Sequence, residues 1–165
     1  MSLDLTGAAP VTLAPLDPAH LPVLRGLAPH PEQVQFSGSA TTILADPRES
    51  VAFHVILSGG VPVGLFKTDS DYEDGRHFAE AGAWGLRGVM IDARAQGRGI
   101  GRAAFVALPS YLRRSHPGLR RIWLTVNCRN PAARRIYLRG GWIDDGVLYH
   151  GGSAGPQHVM RLELS

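Results

Sequence analysis

A chain of 165 residues, 44% hydrophobic and 19% charged, is expected to fold as one domain spanning 1–165 with a sizeable core. Its net charge of +3 rests on arginine pairs scattered along the chain (Arg113 and Arg114, Arg120 and Arg121, Arg134 and Arg135). These read as solvated surface, not as the continuous basic stripe with aromatics that nucleic-acid binding needs. No apolar stretch approaches the ~20 residues of a membrane span, and Met1 to Pro10 lacks the basic and apolar regions of a signal peptide. One cysteine, Cys128, excludes an internal disulfide and fits a reducing cytoplasm.

In chain order, Val11 to Pro15 reads as a first strand. Asp17-Pro18 is a cap followed by proline, and the helix it starts is expected to run to about Leu27. Pro29 to Gly38 reads as a loop or broken helix, and Ala40 to Leu44 as a short helix closed by Asp46-Pro47. Val51 to Leu57 and Val61 to Lys67 are apolar runs joined by Ser58-Gly59-Gly60, the pattern of a β-hairpin. Asp69 to Arg76 is an acidic loop. Ala83 to Ile91 is a strand, followed by a glycine-rich turn and a helix to about Arg114. Arg121 to Val126 is a strand and Pro131 to Arg139 a helix; Ile143 to Tyr149 and His158 to Leu164 close the chain as a hairpin. Strands and helices mix without strict βαβ alternation, which predicts the α/β (α+β) class, a mixed sheet flanked by helices.

The glycine-rich turn is Gln96-Gly97-Arg98-Gly99-Ile100-Gly101, between strand and helix. Its backbone N–H groups and the positive end of the helix dipole suit a phosphate or pyrophosphate. A dinucleotide fingerprint fails because Arg102 follows Gly101 and no acid lies about twenty residues on, where Arg120-Arg121-Ile122-Trp123 stands. A P-loop fails because the only lysine is Lys67. A bare tight connection stays open on the turn alone.

A second element follows the strand Ile122 to Val126. Asn130 can cap a helix with Pro131 in its first position. Tyr137 lies seven residues after Asn130, two turns along the same face, with Ala133 near midway, and Gly140-Gly141 ends the helix before Trp142. Together, Q-G-x-G-x-G and N-x-x-A-x-x-x-Y-x-x-x-G-W resemble the GCN5-related N-acetyltransferases (GNAT), with Trp142 in place of the usual Phe. The resemblance covers roughly Val11 to Leu164 and is strongest from Leu86 to Trp142.

The resemblance implies a mostly antiparallel sheet of about six to seven strands, with splayed central strands and about four flanking helices. It implies acetyl-CoA as co-substrate, its pyrophosphate on the backbone amides of Gly97, Arg98, Gly99, Ile100 and Gly101, with Gln96 and Arg102 also among the cofactor-binding residues. Its pantetheine arm would run along Met90 and Ile91 and touch Asn130 and Ala133. Tyr137 would donate a proton to the departing sulfur. By elementary geometry Tyr137 could equally be a core tyrosine and Asn130 only a cap. No general base is readable: the family often has Glu six residues before Ile91, where this chain has Gly85. Glu80, Asp92, a water or an already deprotonated amine remain open. Cys128, near the expected thioester, reads as a small buried side chain, since direct transfer needs no nucleophile. His150 and His158 flank the last hairpin without a carboxylate or thiolate cluster, so no metal site is assigned.

The resemblance narrows at Leu86 to Asp92, and at Pro31-Glu32-Gln33 with Phe36, to bacterial spermine/spermidine acetyltransferases. It implies that Glu32, Gln33 and Phe36 form the acceptor side. Asp69, Asp71, Glu73 and Asp74 would draw a polycation, or would simply be a solvated loop. Gly155-Pro156-Gln157-His158 departs from those enzymes. The acceptor expected is thus a small-molecule amine, a polyamine first. A protein N-terminus or lysine, a non-catalytic acetyl-CoA-binding module, and a monomer or homodimer remain open.

Overall fold

A computed structural model describes residues 9–73 and 76–165 of the chain. The segment read for a signal peptide lies almost wholly outside the described residues, as does Asp74 of the acidic loop. Seven strands form one sheet: β1 (Val11–Pro15), β2 (Val51–Ser58), β3 (Val61–Asp69), β4 (Trp84–Ile91), β5 (Arg121–Asn127), β6 (Ile143–Tyr149) and β7 (Gln157–Glu163). Their order is β1-β2-β3-β4-β5-β7-β6. Neighbours are antiparallel except β4 and β5, which are parallel, so the sheet is mixed and mostly antiparallel as expected.

The helices are α1 (Leu21–Leu24), α2 (Val34–Ser37), α3 (Ala40–Leu44), α4 (Ile100–Ser115) and α5 (Pro131–Arg139). The helix expected from Asp17 to about Leu27 is shorter. Asp17 does cap it, accepting the Ala19 N–H at 2.9 Å, but the first turn, Pro18–His20, is 3-10. Pro18 and Pro22 remove two N–H donors at its start, so the α-helical segment covers only Leu21–Leu24 before Gly26. The β2–β3 turn is a two-residue turn with both glycines left-handed, Gly59 at φ +57° and Gly60 at φ +82°.

Side chains alternate across the sheet and bury two cores. Ile56, Phe66 and Leu86 point to the side covered by α4 and α5, where Phe105, Leu108, Leu112, Tyr137 and Trp142 meet them. Val55, Leu65 and Met90 point to the other side, under Leu24, Leu27 and Ile43. Leu86 and Met90 are four apart and would share a face in an unbroken strand. A bulge separates them: Leu65 pairs with Met90 but Lys67 with Arg87, so two β4 residues, Gly88 and Val89, oppose Phe66. Gly88 takes φ +60° there, and the extra residue inverts the in–out parity of the rest of β4.

Candidate active site

β4 and β5 pair only through Trp84 with Ile122 and Gly85 with Trp123. Beyond that point the strands part and a cleft of about 910 Å³ opens, walled by Leu86 to Ile91 on one side and Leu124 to Asn127 on the other. The splay expected from the family resemblance is therefore present, and it places main-chain groups of β4 along an open edge instead of in a ladder.

The glycine turn closes one end of this cleft. Gly97 and Gly99 hold φ +78° and +77°, and a Cβ on either would meet nothing within 4 Å. They are needed for backbone conformation on an open surface. Gly101 is different: a Cβ would lie 3.1 Å from Ile91 Cδ1 and 3.3 Å from Ile136 Cδ1, so it permits close packing of α4 on its neighbours. No side chain caps α4, whose N-cap is Gly99. The N–H groups of Ile100, Gly101 and Arg102 thus have neither an intrahelical partner nor a side-chain one, and all three residues line the cleft. Arg98 is exposed and lies outside the lining.

Gln96 fastens the turn. Its Nε2 donates to the Ile91 carbonyl at 2.9 Å and to Gln33 Oε1 at 2.8 Å, and Gln33 Nε2 donates back to Gln96 Oε1 at 3.1 Å. Gln33 Oε1 also accepts the His30 N–H at 3.1 Å. Gln33 and Phe36 line the cleft, but the Gln33 amide is committed to the turn; Glu32 is exposed and outside the lining.

Met90, Ile91, Asn130, Ala133 and Tyr137 all line the same cleft. Asn130 caps α5, accepting the Ala133 N–H at 3.4 Å. Tyr137 is 9% exposed, its ring centroid 4.7 Å from that of Phe105, and burial pushes its phenol above the ordinary tyrosine range. The end of α5 accounts for the rest of the spacing. The Trp142 N–H donates to the Tyr137 carbonyl at 3.1 Å and the Gly141 N–H to the Leu138 carbonyl at 3.2 Å, with Gly141 at φ +93°. This Schellman closure brings Trp142 against Tyr137, ring centroids 6.3 Å apart.

The position where the resemblance would place a Glu, occupied here by Gly85, is filled from elsewhere. A Cβ there would lie 1.9 Å from Tyr72 Cδ2. Tyr72, 1% exposed, packs its ring against the strand at Gly85, with the Arg76 guanidinium 4.2 Å from the ring centroid. Both line the cleft. Sequence reading missed them in the acidic loop, although a glycine inside a strand signals just such a close approach. It also missed Lys67, Arg87 and Tyr149, which line the cleft without any motif.

Neither carboxylate considered as a base faces the cleft. Asp92 Oδ1 accepts the Ala28 N–H at 3.0 Å and Oδ2 pairs with Arg94 at 2.8 Å. Burial would raise its pKa, but Arg94 and the Ala28 N–H outweigh burial and hold it below the usual carboxylate range. Glu80 accepts from Trp123 Nε1 at 2.7 Å and borders a separate surface hollow with His116. Cys128 is half-buried beyond β5, its N–H on the Pro156 carbonyl at 3.0 Å, and is not part of the lining. His158 lies 3.6 Å from Asp144, and His150 is exposed. Of the acidic loop, Asp69 is fully buried at the end of β3 on Arg48 and Arg87, and Glu73 accepts the Gly82 N–H at 3.0 Å. No described helix is long and apolar enough to cross a membrane.

Comparison with known proteins agrees with this geometry. Residues 21–142 match the model of the Acetyltransferase (GNAT) family. An uncharacterized N-acetyltransferase, YbbJ of Bacillus subtilis (strain 168), is 26% identical over 142 residues, covering 82% of this chain and 87% of the relative. The fold is shared with aminoglycoside acetyltransferase AAC(6')-Ib solved with paromomycin and acetyl-CoA, at a TM-score of 0.73, 20% identity and 93% of each chain. It is shared also with the spermidine N-acetyltransferase of Vibrio cholerae solved with CoA and spermine, at a TM-score of 0.66 and 18% identity over 93% of this chain and 95% of that one. An uncapped helix start on a glycine turn, opening into a cleft between parting parallel strands, is thus found where a family match covers most of the chain: the protein belongs to the GNAT family of N-acetyltransferases, whose co-substrate is acetyl-CoA.

Proposed function

We propose that the protein transfers the acetyl group of acetyl-CoA to the primary amine of a small molecule by direct attack in a ternary complex. One observation carries the reading. A single cleft is lined at once by the glycine turn, the uncapped start of α4, the open edge of β4, Asn130 and Tyr137. Phosphate charge is favoured at Gly97 to Arg102, where N–H donors and the helix dipole coincide. The extended arm follows Met90 and Ile91, and Asn130 Nδ2 remains available to it while Oδ1 caps α5. Holding amine and thioester side by side supplies much of the rate, because the thioester is already activated. Tyr137, kept protonated by burial, serves as donor to the leaving sulfur. With Asp92 and Glu80 facing elsewhere, the amine arrives deprotonated or gives its proton to water. The setting is the cytoplasm, a reading that rests on the single cysteine.

The test is thiol release from acetyl-CoA with polyamines, amino acids, aminoglycosides and peptides as acceptors. Transfer to at least one small amine is expected. Tyr137→Phe is expected to lower kcat by about 100-fold while leaving KM for acetyl-CoA within a few-fold. An unchanged kcat across the pH range would remove Tyr137 from the mechanism. Transfer to peptides alone would move the assignment to a protein acetyltransferase.

A further inference from the structure

The acceptor half of the cleft carries a charge pattern that the family assignment does not supply. Because of the alternation across β3 and β4, Lys67 and Arg87 lie on the opposite sheet face from Tyr137 and the α4 side core. Both line the cleft, as do Gln35 and Phe36 of α2. Among the described residues, no aspartate or glutamate lines the cleft at all.

Among the described residues, the two carboxylates that pair with Lys67 and Arg87 are set back from the cleft. Asp46 pairs with Arg48 at 2.8 Å and with Lys67 at 2.9 Å. Asp69 pairs with Arg48 at 3.0 Å and with Arg87 at 3.1 Å. Three cations thus share two carboxylates, an excess of one positive charge, and Lys67 and Arg87 are the members of the cluster that line the cleft. Arg87 commits only Nη1 to Asp69, which leaves the remainder of its planar fork for a ligand. A site built for a polycation would present carboxylates to the amine groups that are not acetylated. This one presents guanidinium and ammonium groups.

We propose that the acceptor is an amine that carries its own anionic group, a carboxylate or a phosphate, which seats on Arg87 and Lys67 while the amine points across the cleft toward the β4–β5 opening. The proposal rests on reading the cleft as an acetyl-transfer site. Arg87 and Lys67 then set which amines are acetylated, their positive potential drawing the anionic end of the acceptor. Pairing of a carboxylate or phosphate with Arg87 is charge-assisted and bidentate in geometry, so it orients the amine as well as holding it.

The experiment compares matched acceptors on the unaltered protein. O-phosphoethanolamine is set against ethanolamine, glucosamine 6-phosphate against glucosamine, and α-amino acids against their amides, with spermidine and kanamycin as polycations. The anionic member of at least one pair is expected to exceed its partner at least 10-fold in kcat/KM, and the polycations likewise. Whether the phosphate pairs or the amino-acid pairs respond distinguishes the two anions. Raising the salt concentration is expected to erode the preference. Arg87→Gln is expected to cut the ratio within the responsive pair by about 10- to 100-fold, and Arg87→Lys to retain part of it. The matched pairs on the unaltered protein decide the question even where a variant fails to fold. Equal rates within every pair, or spermidine or kanamycin ahead of all anionic amines, would overturn this proposal and leave the acetyl-transfer reading standing. Absence of thiol release with every acceptor would overturn both.

Discussion

Gly85 and Tyr72 show how one residue without a side chain shapes the chemistry available to a site. The ring of Tyr72 fills the volume that a side chain at position 85 would need, down to a 1.9 Å overlap with a bare Cβ. Tyr72 cannot move cheaply, since it is 1% exposed and carries the Arg76 guanidinium over its ring. Gly85→Ala is therefore expected to destabilise the protein by about 1–3 kcal/mol through overpacking, read as a lower denaturant midpoint. Adding Tyr72→Ala to that variant should cost less than the sum of the two single changes, because the clash is removed with the ring. Strict additivity would show that the contact is absent in solution. The same packing accounts for the lack of a carboxylate at this point of β4: a Glu at position 85 and a Tyr72 ring over it exclude each other.

At the scale of elements, the bulge in β4 is what lets a single strand serve two cores and a site. Gly88 holds φ +60°, and a Cβ there would approach Lys67 Cε to 3.2 Å and Ile43 Cγ2 to 3.3 Å. Gly88→Ala is expected to cost about 1–2 kcal/mol for the left-handed conformation alone and to raise KM for acetyl-CoA as the Met90 and Ile91 edge shifts. A melt and a KM both unchanged would mean that β4 runs through without the bulge. Local patterns made much of this architecture legible in the sequence. The α3 segment, the β2–β3 hairpin, α4 and α5 follow from caps, glycines and periodicity within a few residues. The glycine turn and the Asn130–Tyr137 helix are equally local, which is why they could be read together. What was not legible depends on contacts between distant segments. The bulge appears only when β3 is laid beside β4, and the Gln33–Gln96 amide pair joins residues 63 apart with no period to announce it. The shortened first helix was misjudged because Asp17 is a genuine cap, while the two prolines after it limit what the cap can start.

For the whole molecule, a buried polar contact that responds to pH lies away from the cleft. His54 on β2 is 4% exposed, its Nδ1 2.6 Å from the Tyr111 hydroxyl on α4 and its Nε2 2.9 Å from Thr68 Oγ1 on β3. Burial, with a smaller contribution from His116, lowers its pKa to about 4 from an ordinary 6.5. The unfolded chain takes up this proton below pH 6.5 and the folded one only near pH 4. Stability from this group is therefore complete above pH 6.5 and is lost as pH falls from 6.5 toward 4, by about 3 kcal/mol in all. A thermal or denaturant series over that range should show the decline, and His54→Gln should flatten it. A wild-type profile with no slope between pH 6.5 and 4 would place a water or a charge next to His54.

The reciprocal amide pair between Gln33 and Gln96 has a thermodynamic corollary. It ties the segment leading into α2 to the glycine turn with two neutral hydrogen bonds, at 2.8 and 3.1 Å, so ordering one segment restrains the other. Two ligands that each draw on a shared element must alter one another's affinity by the same factor. Acetyl-CoA and acceptor should thus bind with a measurable mutual coupling, and cutting the pair with Gln33→Ala should return each affinity to a value independent of the other.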